Sequence, residues 1–375
     1  MILDGIKTGS EAEVDEIVQL IRENTDKSYD LVAEKIHKMR ITNTRITPAL
    51  EQALDDFAGK PVLGHHYGHT SNLALPGSQE HDLSTAVTHS GSWTTVTNNA
   101  DFIKHLFELY FAWCHPFSVL LLEEAFFHGY MEGKLKYCSP ILVNALLAIA
   151  CQYSDRLDAR SDPDDPSTTG SHFFAEAKRL LYSDERSCLT TVQALGIMSL
   201  REVMNNHDSS GWKFAGQMSR MAIELGLHIP SPAQPNNNLS STEIASRRVT
   251  VWGVFNLETA LSICVGRISS ISRTSIKIDK PLVQSNLEGK IWKPYGYHIA
   301  GLEQSCFTYN LLMQISVLSE IVNDVVNFFY APGERITSRR MIQHFERFEC
   351  WEQRLPECLL IQEHKPTLPQ VISVQ

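Results

Sequence analysis

The sequence is most informative in what it lacks. Its eight cysteines (114, 138, 151, 188, 264, 306, 350 and 358) are scattered, and no two form a C-x-x-C pair. That spacing excludes a cysteine-cluster zinc module built from these residues. Most lie in apolar helical runs, where a free cysteine behaves as a small hydrophobe, so they read as reduced and intracellular. Basic runs are also missing. The densest clusters are Arg247-Arg248 and Arg339-Arg340, and 33 Lys and Arg against 43 Asp and Glu leave a net charge of −10. A phosphate backbone is bound by clustered cations, so no DNA-binding residue is assigned in this chain. The longest unbroken apolar run, Ala145–Cys151, has seven residues. A membrane span needs roughly 20, and Met1–Ser10 has no apolar stretch of signal-peptide length; no membrane partner is expected. Phosphate-cradling glycine loops, H-E-x-x-H and G-x-S-x-G are absent, which leaves no catalytic residue to name and argues against an enzyme.

What is present is helical period. Val14, Ile17, Val18 and Ile21 recur at helical spacing, and 1–57 reads as an N-terminal helical segment. Residues 58–100 are rich in Gly, Ser, Thr, Asn and His and read as a flexible linker. It contains the one metal-like cluster, His65, His66 and His69 with His81 and His89 nearby. Such imidazoles can hold a transition metal, but four placed ligands are the norm, and a polar glycine-broken linker is the plainer reading. Cys114, His115 and Cys138 leave the same choice between ligands and core packing. No metal is assigned.

From 101 to 360 helices dominate, with loops at Asp162–Gly170 and Ser231–Thr242 and an ambiguous stretch at Ser269–Tyr297. Helices are expected over Phe102–Trp113, Val119–Met131, about Ala300–Phe329 and Thr337–Arg354. Leu311, Ile315, Leu318, Val322, Val325 and Phe329 step by 4, 3, 4, 3 and 4, a heptad-like seam for a partner helix of the same chain or of a dimer. Residues 361–375 form a tail. The fold class is all-α, an irregular multi-helix array of buried amphipathic and apolar helices.

The central segment is Arg247–Arg267, RRVTVWGVFNLETALSICVGR. Two arginines open a helix that is apolar on nearly every face, with a thin polar edge of Asn256, Glu258 and Ser262. A helix of this kind lies inside a protein, and Gly266 ends it. Arg247 and Arg248 oppose the macrodipole at a helix start. They are expected to pair with carboxylates of a neighbouring helix, or else to face a partner or nucleic acid. Trp212, Trp252 and Trp351 either line an effector pocket or pack in the core.

This segment resembles the signature of the fungal-specific transcription factor regulatory domain, the middle region of binuclear-zinc-cluster regulators. Further blocks match in the same order: Cys138–Asp155, His172–Tyr182 (HFFAEAKRLLY), Leu189–Leu200 (LTTVQALGIMSL), Trp212–Leu227 (WKFAGQMSRMAIELGL) and Trp351–Leu355 before Pro356. The likeness covers roughly Phe111 to Leu360 and is nearest in flavour to nitrate-assimilation regulators, whose segment ahead of this domain also resembles Glu11–Met39.

The resemblance implies a nuclear regulator of transcription that is not an enzyme. Its family-motif residues are Gln193, Trp212, Gly216, Arg247, Arg248, Trp252, Phe255, Gly266 and Arg267, mainly structural in role. Partners would be proteins of the transcription machinery, a dimer partner or a metabolite effector. The family's zinc and DNA contacts belong to a cysteine cluster that no residue here matches, so no cofactor is placed in this chain. The family continues past the leucine-proline segment, so the domain is expected to be truncated at its C-terminus. The alternative reading is a stand-alone interaction protein that dimerises with full-length relatives and dampens them.

Overall fold

The computed structural model describes residues 91–184, 186–230, 239–281, 290–293, 304–331, 336–361 and 367–372. The expected helices of 1–57 and the histidine cluster at 65–89 lie outside the described residues. Nine helices of ten residues or more order the described chain: α1 (Ala100–Leu109), α2 (Glu123–Glu132), α3 (Pro140–Ala150), α4 (Ser171–Ser183), α5 (Leu189–Met204), α6 (Asp208–Glu224), α7 (Ser241–Val265), α8 (Thr308–Tyr330) and α9 (Ser338–Glu352). The fold is all-α. Its described strands are one two-residue antiparallel pair, Ile291–Trp292 against Gln304–Ser305.

Local chemistry sets the boundaries. Asn99 caps α1 by accepting from the Phe102 N–H, and the helix loosens into a π-turn at Tyr110–Cys114 before Pro116. Ser139 caps α3 ahead of Pro140, the position where a missing N–H costs least. α3 is buried at every residue from Ile141 to Ala150 and packs against α1, α4 and α5. α5 lies along α6, α6 meets α7, α7 meets α8, and α8 carries α9.

Four expectations change here. Helix was expected from Val119, but Val119–Leu122 is a buried non-helical strap and α2 starts at Glu123. The linker was expected to run to residue 100, but its last residues pack on the helices. Trp93 stacks on Tyr130 at 5.7 Å, and Thr94 donates to Asn144 Oδ1 at 2.8 Å. The helix expected from Ala300 begins at Thr308.

The seam of α8 is also displaced. Of its expected residues Leu311 is buried, Ile315, Leu318, Val322 and Val325 are partly covered, and Phe329 is exposed. The buried line is Leu312, Ser316, Ser319, Asn323 and Val326. Polar side chains on α7 are the reason. Asn256 Nδ2 donates to Ser316 Oγ at 3.1 Å, and Asn323 Nδ2 donates to Thr259 Oγ1 at 3.3 Å. α8 is long and apolar enough to cross a membrane by length and composition. Its hydrogen-bonded polar line instead joins it to α7, which satisfies groups that would be costly left unpaired.

Candidate functional site

The family-motif residues lie on α5, α6, α7 and the turn that follows it, and one of them, Gln193, reaches a buried junction with α7. Thr250 of α7 stands at its centre. Gln193 Nε2 on α5 donates to Thr250 Oγ1 at 2.9 Å, and Thr250 Oγ1 donates to the Leu120 carbonyl at 3.0 Å. The strap runs so close to α7 that a Cβ at Gly253 would stand 2.2 Å from the Val119 carbonyl oxygen. Glycine is therefore required at this position by contact with backbone, not by dihedral angles.

Around this centre the core is closed. Phe255 is fully buried and Trp252 nearly so. Their rings meet edge to face at 5.7 Å. Trp252 Nε1 donates to the Asp279 carbonyl at 3.0 Å, and Lys280 Nζ lies 5.1 Å from its ring centroid. The indole thus ties the segment after α7 back onto the helix.

The two arginines do not open α7. Ser240 caps it by accepting from the Glu243 N–H, a Ser-x-x-Glu start that moves the helix start to Ser241. Arg247 therefore lies in the helix interior. Its guanidinium donates to the Leu225 carbonyl at 3.2 Å, at the C-terminal end of α6, where a cation is favoured by the helix dipole. Its hydrogen-bond partner is that carbonyl and not the carboxylate of another helix; Glu243, one turn back on α7, adds only a favourable charge. Arg248 Nε is buried without a hydrogen-bond partner among the described residues.

The polar edge of α7 is inside. Asn256, Glu258 and Ser262 are buried, while Ile263 and Cys264 near the exit are exposed. Glu258 accepts from Ser262 Oγ at 3.2 Å, from the Ser270 N–H at 2.6 Å and from Ser269 Oγ. Three donors replace the water that a buried carboxylate loses. They also clamp the turn that follows Gly266.

At the exit Gly266 takes the left-handed conformation, φ 65°. Its N–H donates to Ile263 and the Arg267 N–H to Ser262, the paired bonds of a Schellman end. The turn delivers Arg267 over Trp212 of α6, 5.3 Å from the ring centroid. Trp212 and Gly216 are half-buried on α6. A Cβ at Gly216 would meet nothing closer than the tip of Arg220 at 3.5 Å, so no contact in this fold demands glycine there.

The three tryptophans do not form one pocket. Trp351 belongs to a separate cluster with Trp292, Leu311, Leu355 and Leu359. None of the three lines the cavity of about 340 Å³ beside Trp113, Phe117 and Met204, or the groove between α8 and α9. Of the residues expected to be bare near the end of the domain, Phe345 is exposed, Phe348 and Trp351 are half-covered and Leu355 is buried.

Cys114, His115 and Cys138 are buried in apolar surroundings. Burial holds the His115 imidazole neutral, its pKa lowered to about 3, and pushes the Cys114 thiol up to about 12 and Cys138 higher still. His115 lies between Tyr110 and Phe111, 5.9 and 5.1 Å from their rings. Among the described residues no group of three His, Cys, Asp or Glu comes together to hold a metal.

Thr250, Gly253 and Asn323 were not singled out from the sequence, and Glu258 was named only as part of a polar edge. A lone glycine inside a strongly helical run signals close packing, and Gly253 carried that signal. A hydroxyl between Val249 and Val251 is the corresponding mark for Thr250.

Comparison with known proteins agrees with the residue blocks. The family model described as the fungal specific transcription factor domain matches residues 107–353. The nitrogen assimilation transcription factor nirA of Emericella nidulans is 36% identical over 81% of this chain and 36% of its own length. The nitrogen assimilation transcription factor nit-4 of Neurospora crassa is 30% identical over 95% of this chain and 37% of its own. The notoamide biosynthesis transcriptional activator notL' of Aspergillus versicolor is 26% identical over 78% of this chain and 47% of its own. The chain thus spans little more than a third of the length of the first two. No solved structure matches it. These relatives are transcription factors and not enzymes, and the chain belongs to the fungal specific transcription factor domain family.

Proposed function

We propose that the chain is the regulatory part of a transcription regulator of the nitrogen-assimilation type, acting in the nucleus through contacts with other proteins. Residues 101–360 would form the regulatory unit. The observation that carries this reading is the similarity to nirA and nit-4, at 36% and 30% identity over 81% and 95% of this chain. The geometry supports the mode of action. Gln193 meets α7 at the buried, hydrogen-bonded Thr250, and Trp252 and Phe255 are packed in the core beside it, which supports reading these residues as parts of a scaffold whose surface does the regulating. Contact with DNA would come from a zinc module of the family type; the cysteines of this chain, with no C-x-x-C pair, do not provide one.

The test is to fuse the whole chain to an unrelated DNA-binding module in a fungal host with a reporter gene. The expected result is reporter output that depends on the chain and changes with the nitrogen source. Output equal to that of the DNA-binding module alone under every nitrogen source sinks the proposal.

A further inference from the structure

The cavity of about 340 Å³ lies where three pieces of chain meet. Trp113 and Cys114 come from the π-turn that ends α1, and the turn after it adds Phe117 and Ser118. Ile149 and Tyr153 come from the end of α3 and the short turn that follows. Leu200 and Met204 close the space from the C-terminal part of α5. The volume falls at the low end of the range of small-molecule sites, about 300–1,000 Å³. Its inner wall is deep, with Ile149 fully buried and Cys114 nearly so. Its mouth is bare, with Phe117, Tyr153 and Met204 at 39, 36 and 46% exposed. Large apolar side chains grouped at a concave opening mark a place of recognition.

The chemistry of the lining selects the occupant. None of the described lining residues is Lys, Arg, Asp or Glu. The two that titrate, Cys114 and Tyr153, stay neutral, because burial pushes each up to about 12. An ion would lose its hydration here and meet no opposite charge. Three rings (Trp113, Phe117 and Tyr153) and two sulfurs (Cys114 and Met204) favour a flat π-system, since aromatic groups pair with rings and with sulfur beyond what their area gives. The hydroxyls of Ser118 and Tyr153 supply partners for a single polar substituent.

The wall at Trp113 also joins two parts of the fold. Trp113 packs on the main core and on the second cluster. Its ring meets Trp292 edge to face at 5.2 Å, and Trp292 Nε1 donates to the Ala112 carbonyl at 2.8 Å. A molecule against Trp113 therefore rests on the joint between the two clusters.

We propose that this cavity is a binding site for a small uncharged aromatic molecule of one or two fused rings, seated between Trp113, Phe117 and Met204.

Indole and benzoate, titrated into the purified whole chain and followed by ligand-detected NMR, test it. Indole should bind saturably with a Kd of about 0.1–1 mM, the range open to so small a ligand. Benzoate, flat but anionic, should bind at least about tenfold more weakly. Two substitutions locate the site. Met204→Trp puts a larger ring into the mouth and should weaken indole at least about tenfold. Phe117→Ala removes one wall and should weaken it several-fold. Both positions are exposed, and circular dichroism checks that each variant keeps the fold; if Met204→Trp does not, Phe117→Ala decides. A parent chain that shows no saturable binding of indole overturns the proposal, and a cavity kept for the side chain of a partner protein would give that result. Benzoate binding as tightly as indole, or folded variants that bind indole like the parent, overturn it as well.

Discussion

Gln193 and Thr250, 57 positions apart, are joined by a 2.9 Å hydrogen bond, and through it two of the family's sequence blocks become one structural unit. The Thr250 hydroxyl accepts from the Gln193 amide and spends its own proton on the Leu120 carbonyl. It thereby links α5, α7 and the strap ahead of α2.

Thr250→Val keeps the shape and removes the hydroxyl. The Gln193 amide and the Leu120 carbonyl are then buried without partners, a loss of about 1–3 kcal/mol. Gln193→Leu with Thr250→Val should cost less than the sum of the single changes, because the second removes a group the first orphaned. Urea midpoints of the four proteins give the coupling. Strict additivity would show that the bond contributes nothing.

Gly253 and Gly216 both sit inside helices and should respond in opposite ways. At Gly253 an added Cβ meets the Val119 carbonyl at 2.2 Å; backbone must move, and overpacking costs about 1–3 kcal/mol, sometimes more. At Gly216 the nearest atoms are the flexible end of Arg220 at 3.5 Å. There alanine gains helix propensity, up to about 1 kcal/mol. Thermal melts of Gly253→Ala and Gly216→Ala should move down and up respectively. A drop at Gly216 would reveal a demand for glycine that the packing does not explain.

Two helix ends were legible because their signals are local. Ser139-Pro140 before an apolar run and Gly266 after one determine a cap and a stop within three or four residues. The interior of the junction was less legible because its partners are distant in sequence. Arg247 looked like the start of a helix, since the Ser240–Glu243 cap lies beyond a proline- and asparagine-rich loop. Its Leu225 partner is set by how α6 meets α7. The heptad-like seam of α8 was misplaced for a related reason. The apolar period points to the Leu311–Phe329 line, whereas Ser316 and Asn323 are buried because α7 offers Asn256 and Thr259. Val119–Leu122 has helix-compatible residues, and only the close approach at Gly253 shows why it stays out of the helix.

His115 makes stability depend on pH. Its folded pKa, about 3, lies below the usual value of 6.5 because burial disfavours the imidazolium. Between those values the unfolded chain binds the proton and the folded chain does not. Stability is thus fully present above about 6.5 and falls as pH drops through this window, at up to about 1.4 kcal/mol per pH unit for one group. His105, His172 and His344 are shifted the same way by burial, so His115→Gln should flatten the slope without abolishing it. Unfolding free energies at pH 7 and pH 5 measure this. An unchanged slope in the variant would mean that His115 is accessible to protons in the folded state.

Trp252 separates burial from hydrogen bonding. Its indole is almost wholly covered and its Nε1 donates to the Asp279 carbonyl at 3.0 Å. Trp252→Ala opens a large cavity in the middle of α7, at a cost of about 3–5 kcal/mol. Trp252→Phe keeps most of the apolar contact with Phe255 and gives up the bond, a net loss nearer about 1 kcal/mol before any repacking. It should also release the segment around Asp279, which amide hydrogen exchange reads directly. Melting temperatures ordered parent, Phe, Ala, with faster exchange near Asp279 in both variants, fit a tryptophan that anchors the segment after α7 to the core. An alanine variant that melts with the parent would mean that α7 is not buried at this position.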